Sequence, residues 1–257
     1  MSPAIELRGV TKRFSLERGQ TVQALDPIDL AVGEGEFVAL IGPSGCGKST
    51  ILRLIAALEA PSEGRVLAGG QAPEALSLAH RLGVAFQDHA LLPWLTVVDN
   101  IALPFKVAGR PVNAGVVARL IDTVGLGGFE RARPKQLSGG MRQRASIARA
   151  LALDPTVLLL DEPFGALDAV TRRQLNGELQ RIWSARRITT VLVTHAVEEA
   201  LFLADRVIVL SRRPGRIIKE VVSPFARPRD FAVTRSDDFH RLADALTLAL
   251  EPEAAGS

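Results

Sequence analysis

"GPSGCGKST", residues 42 to 50, decides how the rest of the chain is read. It matches G-x-x-x-x-G-K-[ST]. It stands between the apolar run "FVALI" (37–41) and a helical pattern that places Ile51, Leu54, Ile55 and Leu58 on one face. A buried strand that leads through a glycine-rich turn into a helix N-terminus presents consecutive backbone N–H groups to phosphate. Gly42, Gly45 and Gly47 let the main chain wrap an anion, Lys48 carries an ammonium toward the β- and γ-phosphates, and the Ser49 hydroxyl can ligate Mg²⁺. The whole stretch Gly42, Pro43, Ser44, Gly45, Cys46, Gly47, Lys48, Ser49 and Thr50 is the predicted nucleotide cradle, with Cys46 a spacer without redox or metal role.

Outward from this loop, "VLLLDE" (157–162), "TTVLVTH" (189–195) and "RVIVLS" (206–211) are apolar throughout, as strands buried on both faces are. Helical periodicity lies between them, for instance Leu175, Leu179 and Ile182. Strands alternating with helices predict an α/β layer with a mainly parallel sheet. Asp161 and Glu162 then stand at a strand's carboxyl end, where such sheets bind ligands. Asp161 is expected to hold Mg²⁺ through water and Glu162 to polarise the attacking water, the alternative being a plain Glu-Pro turn after a core strand. His195 also ends a strand, and its imidazole is either a contact to γ-phosphate and water or simply structural. His80, His89 and His240 have no such placement and are assigned no role.

Residues 88 to 155 lack strand signals and carry helical ones after Val98, Ala114 and Ser138, so a helical subdomain is expected within the α/β core. Its third helix opens with "QLSGGMRQR" (136–144), where Ser138, Gly139 and Gly140 strip side chains from a helix entrance. An anion drawn to the positive end of the macrodipole explains that; so does a Ser138 N-cap followed by a glycine turn. The expected organisation is an α/β core from 1–87 and 156–222, the insert from 88–155, and from 223–257 a linker, "SPFARPRD", with an amphipathic helix, "DDFHRLADALTLALE".

Thirty-one Lys and Arg against 28 Asp and Glu give a net charge of only +3, so no basic block points to nucleic acid. "SRRPGR" (211–216) is a local cluster suited to phosphate or lipid, or a solvated turn. A single cysteine excludes an internal disulfide framework and fits a reducing compartment. "MSPAIELRGV" has no signal-peptide pattern, and no apolar run approaches the roughly 18 residues of a membrane span, so work at a membrane would need another protein's helices.

The motifs together resemble the nucleotide-binding subunit of an ATP-binding cassette transporter. "GPSGCGKST", Gln87 in "VAFQD", "LSGGM", "VLLLDEP", "GALD" and "VTHAVEEA" follow one another in that family's order and spacing over residues 5 to 222. The resemblance implies a P-loop ATPase core with additional antiparallel N-terminal strands and an inserted helical subdomain. It also implies a head-to-tail homodimer with ATP and Mg²⁺ at the seam. There Ser138, Gly139 and Gly140 would clamp the ATP bound by the partner copy, Asp168 would link the two sites, Gln87 would join Ser49 and Asp161 around Mg²⁺, and Glu162 and His195 would be catalytic. Phe14 matches the position whose ring stacks on adenine, or is a core Phe at a strand end. Met141 stands where the family usually has Gln and gives up a reciprocal capping bond.

"LLPW" (91–94), "LSGGMRQR" and "SRRPGRI" followed by "RPRD" narrow the resemblance to the nitrate, sulfonate and taurine importer group. Permease subunits are then expected to dock near Gln87 to Trp94, unless Leu91 to Trp94 bury under the helical subdomain. The resemblance further implies a solute-binding protein acting indirectly and a place for the chain on the cytoplasmic face of a bacterial inner membrane. The rival expectations are an exporter subunit and an importer of pyrimidine-type or other small solutes.

Overall fold

The strand that feeds the glycine-rich loop lies inside a six-stranded sheet, which also carries Asp161 at the end of a neighbouring strand. The computed structural model describes residues 3–15, 20–165 and 167–251. Its strands are β1 (Ile5–Ser15), β2 (Thr21–Val32), β3 (Phe37–Ile41), β4 (Glu63–Ala68), β5 (Leu82–Ala85), β6 (Val157–Asp161), β7 (Thr189–Val193), β8 (Arg206–Leu210) and β9 (Ile217–Val222). The larger sheet has the order β5-β6-β7-β3-β8-β9 and is parallel except for β9, which returns antiparallel on β8. β2, β1 and β4 form a separate antiparallel sheet.

The apolar runs divide their side chains between two cores, as a strand covered on both faces must. Phe37, Ala39 and Ile41 of β3 join one cluster with Leu158, Leu160, Leu192, Val207 and Val209. Val38 and Leu40 join the other with Leu159, Val191, Val193, Ile208 and Leu210, beneath the antiparallel sheet and α1 (Lys48–Ile55). Leu58 departs from the helical pattern expected of it: α1 ends at Ile55, and Leu58 is 59% exposed.

After α2 (Glu74–Leu78) and β5 the chain forms α3 (Val97–Val107), α4 (Ala114–Thr123) and α5 (Gly139–Ala150) before re-entering the sheet at β6. Thr96, Asn113 and Ser138 cap these three helices, each accepting a bond from a backbone N–H three residues on. α6 (Ala169–Arg186), α7 (Val197–Leu203) and α8 (Asp237–Leu250) complete the fold.

The "SPFARPRD" segment is more than a linker. Arg229 is buried and donates to the carbonyls of Leu201, Phe202 and Ala204, where α7 ends, and to that of Phe225. Burial depresses its pKa to about 10. Arg227 lies 3.8 Å over the Trp183 ring and bonds Asp205 and the Leu203 carbonyl. Two guanidinium groups thus close the C-terminus of α7, the end at which a cation is favoured. "SRRPGR" is the solvated turn: Arg212, Arg213 and Arg216 are exposed.

Candidate nucleotide site

The glycine-rich loop is shaped from behind as much as from in front. A Cβ on Gly47, at φ 103°, would stand 2.4 Å from Leu25 Cδ2, and one on Gly42 would stand 2.8 Å from Cys46 Sγ. Those two glycines are required by packing against the body of the protein. Gly45, at φ 75°, is the one whose Cβ would meet nothing within 4 Å, so it turns the open face of the loop outward. Cys46 is buried against Gly42, and burial raises its thiol pKa; it is a packing residue, consistent with the spacer expectation.

α1 begins at Lys48 with Gly47 at the N-cap and no side chain capping it, so its first N–H groups are not engaged by a side chain. Lys48 itself is only 5% exposed. Its Nζ donates to the carbonyls of Gly42 (2.7 Å) and Pro43 (3.0 Å) and approaches Cys46 Sγ at 3.9 Å. Among the described residues it forms no ion pair with a carboxylate. A buried ammonium bonded only to neutral groups, beside an uncapped helix start, is complementary to an anion.

β6 carries the first carboxylate to the same place. Ser49 Oγ donates to Asp161 Oδ1 at 2.9 Å. Burial raises the Asp161 pKa and the nearby Glu162 charge adds to that, while the Ser49 bond opposes it. Glu162 is held in the left-handed region at φ 46°, its N–H bonded to the Val193 carbonyl of β7 at 2.9 Å. Such a conformation costs about 1 kcal/mol or more and persists where surrounding structure enforces it. Glu162 Oε2 lies 3.5 Å from Gln87 Nε2 and 3.5 Å from His195 Nδ1. Three residues remote in sequence therefore meet at one carboxylate. Among the described residues no group of three or more His, Cys, Asp or Glu could hold a metal alone. Ser49, Asp161 and Gln87 offer hard oxygen donors but an incomplete set, which suits Mg²⁺ completed by phosphate and water.

At the entrance of α5 the plain capping geometry is present: Ser138 Oγ accepts from Met141 N at 3.3 Å. The two glycines differ. A Cβ on Gly139 would meet nothing nearer than Arg142 Nη2 at 3.9 Å, whereas one on Gly140 would strike Leu167 Cδ2 at 2.9 Å. Only Gly139 presents bare backbone outward; Gly140 is required by contact with the chain's own Leu167. Met141 packs against the larger core cluster. Ser138 and Gly139 are exposed.

Sequence reasoning missed how α5 is tied to the glutamine loop. Arg142 Nε donates to His89 Nε2 at 2.9 Å, and Arg149 donates to the carbonyls of His89 (2.9 Å) and Ala90 (2.8 Å). Burial, reinforced by the Arg142 charge, lowers the His89 pKa. The neutral ring accepts at Nε2 and keeps its proton on Nδ1. A cavity of about 410 Å³ opens between these elements, lined among others by Gln87, Gly139, Arg142, Glu162 and His195.

Phe14 stands half-buried on β1, outside both core clusters, with Lys12 Nζ 4.8 Å from its ring centre. Asp168 caps α6 by accepting from Thr171 N (2.9 Å) and Thr171 Oγ1 (2.7 Å), bonds that hold its carboxyl below the usual range. Ala166 of "GALD" lies outside the described residues. The "LLPW" stretch divides: Leu91 is buried, but Trp94 is 66% exposed. Asn100, fully buried, fixes that loop by accepting from Leu92 N and donating to the carbonyls of Leu92, Leu95 and Thr96. No helix is long and apolar enough to cross a membrane, among the described residues.

Known proteins resemble the chain over most of its length. The ABC transporter family matches residues 25–165. The chain is 48% identical to an uncharacterised ABC transporter ATP-binding protein of Methanocaldococcus jannaschii over 90% of this chain and 86% of that one. It is 44% identical to an aliphatic sulfonates import ATP-binding protein of Bacillus cereus, covering 88% of each. With a nitrate import ATP-binding protein of Synechococcus elongatus it shares 45%, over 94% of this chain and 88% of that one. Among solved structures, a dimeric bacterial ABC transporter cassette superposes with a TM-score of 0.76 at 34% identity, covering 86% of this chain and all of that one. A post-hydrolysis dimer of the same cassette, bound to ADP and Pi, gives 0.77 at 32% identity and the same coverage.

Proposed function

The chain belongs to the ABC transporter family, and from that premise we propose that it is the ATP-hydrolysing subunit of an importer for a small anionic or polar solute of the nitrate, sulfonate or taurine kind. The observation that carries the ATPase reading is that, at the carboxyl ends of β3, β5, β6 and β7, Ser49 beside Lys48 bonds Asp161 while Gln87 and His195 both reach the adjacent Glu162. The importer reading is supported by the sulfonate and nitrate import ATP-binding relatives.

In this reading the N–H groups of the loop from Gly42 to Thr50 and the Lys48 ammonium bind phosphate oxygens, and Phe14 offers its ring to adenine. Ser49, Asp161 and Gln87 hold Mg²⁺, which when bound neutralises charge on the phosphates. The Glu162 carboxylate orients and polarises the attacking water, and His195, within reach of the same carboxylate, positions it against the γ-phosphate. Two copies face each other head to tail. Ser138, Gly139 and Gly140 of one approach the nucleotide of the other, with Asp168 beside the seam. The core spans 1–87 and 156–222, the insert 88–155 and the C-terminal segment 223–257. Permease subunits dock near Gln87 to Trp94, a solute-binding protein delivers the solute to them, and the chain is peripheral on the cytoplasmic face of the bacterial inner membrane.

A second reading has one observation in its favour: Gly139 lines the same cavity as Glu162 and His195 of its own chain. A mixed dimer separates the two. Both subunits carry Glu162→Gln to prevent turnover; one adds Lys48→Ala and the other Ser138→Arg. If Ser138 serves the partner's nucleotide, both defects fall in one site and the mixed dimer traps half the radiolabelled ATP of the intact dimer, while each parent homodimer traps almost none. If the mixed dimer fails like its parents, Ser138 acts within its own chain and the seam is refuted.

A further inference from the structure

Directly behind His195 lies a buried carboxyl group, that of Glu199, which has no part in holding nucleotide. The His195 side chain is 55% exposed, and among the described residues its one ionic or hydrogen-bonding contact is Glu162 Oε2, 3.5 Å from Nδ1. An imidazole with so little packing around it is aimed by its backbone. We propose that Glu199, acting through the Thr194 hydroxyl, is a positioning residue for His195. The inference rests on the reading of His195 as part of the hydrolytic site and adds what holds it there.

The geometry is a capping box with a hydroxyl inserted into it. α7 starts at Val197, so Ala196 is its N-cap and Glu199 its third residue. A glutamate at that position ordinarily reaches back to the N-cap N–H. Here Ala196 N donates to Thr194 Oγ1 at 3.1 Å, and Thr194 Oγ1 donates in turn to Glu199 Oε2. The hydroxyl of the residue before His195 therefore accepts from the residue after it, and the carboxyl group sets which way the hydroxyl proton points. Thr194 N also bonds the Leu40 carbonyl of β3 at 3.2 Å. The turn that carries His195 is thus fastened to the strand that feeds the phosphate loop.

General helix chemistry does not call for Glu199 where it stands. Negative charge favours a helix start, but the exposed Glu198 beside it already supplies that charge. Glu199 is 5% exposed and is followed by the fully buried Ala200 and Leu201, so packing alone would be served by an apolar side chain. Burial raises its pKa, while the Thr194 bond and the charges of Arg172 and His195 oppose that. A carboxyl group withdrawn this far from water is unfavourable unless its bonds are used. Arg172 and Asn176 of α6 share with it the lining of a cavity of about 230 Å³, and the bond it makes on the other side is the one to Thr194. Only an acceptor at this place orients the Thr194 proton.

The test uses the purified full chain with isotope-labelled histidine, its four imidazoles resolved by NMR and His195 assigned by its loss in His195→Gln. Thr194→Val and Glu199→Leu are expected to lower kcat for ATP at least about tenfold with KM within about twofold, since a misplacement of about 1 Å is enough for such a loss. Thr194→Ser and Glu199→Gln keep the hydroxyl and its acceptor and should stay within about threefold of the parent. In the two damaging variants the His195 resonance should shift or broaden as the ring leaves Glu162, while those of His80 and His240 stay in place. A loss of kcat with the His195 resonance unmoved, or one shared by Thr194→Ser and Glu199→Gln, assigns the pair to general packing and overturns the proposal. An unchanged kcat in Thr194→Val and Glu199→Leu overturns it as well. If the parent chain hydrolyses no ATP, the ATPase reading fails by itself, and the His195 resonance decides the positioning: moved by Thr194→Val and kept by Thr194→Ser it stands, unmoved by both it falls. If Glu199→Leu does not fold, the Thr194 pair is read against the same outcomes.

Discussion

Asn100→Ala removes a fully buried amide that accepts from Leu92 N at 2.8 Å and donates to the carbonyls of Leu92 (3.2 Å), Leu95 (3.2 Å) and Thr96 (3.0 Å). Its two amide hydrogens are shared among three acceptors, so about three net hydrogen bonds are lost at roughly 1 kcal/mol each. Leaving the Leu92 N–H without a partner adds to this where water cannot reach it, so the expected destabilisation is about 3 kcal/mol. For a chain of this size that is a fall in melting temperature of about 6–12 °C by differential scanning calorimetry. Trp94→Ala, at the tip of the same loop, should move the midpoint little, since the side chain is 66% exposed. Asn100→Asp keeps the acceptor for Leu92 N but turns a carboxylate toward three carbonyls, so it should be at least as destabilising near pH 7. A drop of less than about 2 °C for Asn100→Ala would refute the view that this amide holds the loop.

Lys48→Ala should abolish ATP turnover while the chain remains folded, since the ammonium contacts only carbonyls and a thiol; unchanged ATPase activity would remove the phosphate role from the loop. Glu162→Gln keeps size but loses the base, so ATP should bind, stay intact and hold a dimer visible by light scattering; a protein monomeric in every nucleotide state counts against the seam. His89 has a folded pKa below its ordinary value of about 6.5, so the unfolded chain binds the proton more readily and stability should decline as pH falls through that value toward the folded pKa. His89→Gln retains an acceptor for Arg142 but cannot titrate, so its melting temperature should depend less on pH between about 5 and 7; superimposable profiles would show that the imidazole carries no linkage.

What could be read without coordinates was whatever depends on spacing along one segment. The loop motif, the buried strands with Asp161 and Glu162 at an end, and the cap at Ser138 are local rules; the Asp168 cap and the division of each strand's side chains between two cores emerged only from the fold. The antiparallel N-terminal strands came only from the family resemblance, because β1 and β2 pair through register shifts that blur a simple period of two. Arginine is the residue type whose place is least legible in the sequence. The sequence does not show where Arg142, Arg149, Arg227 and Arg229 bond, yet each reaches a partner far along the chain: backbone carbonyls for Arg149 and Arg229, the His89 ring for Arg142, and the Asp205 carboxylate with the Leu203 carbonyl for Arg227. A carbonyl is present at every residue and leaves no mark of its own in a sequence, so no motif identifies the acceptor. The planar fork, which can bond several acceptors at once, explains why such sites take Arg and not Lys.

The two glycines of "SGG" bring the same problem to the candidate site. They look equivalent in the sequence, and both were assigned to phosphate approach. Gly140 is fixed by Leu167 of its own chain, so Gly140→Ala would test packing between α5 and the loop before α6, whatever it did to nucleotide. Gly139 has space around it, and a Cβ there would intrude only on what arrives from outside. Gly139→Ala, at the first residue of α5, is therefore the cleaner probe of an approaching ligand. If it leaves stability intact while ATP trapping in the Glu162→Gln background falls, the bare backbone serves the nucleotide. If trapping is unchanged, a Cβ is tolerated there and close phosphate approach at Gly139 is wrong.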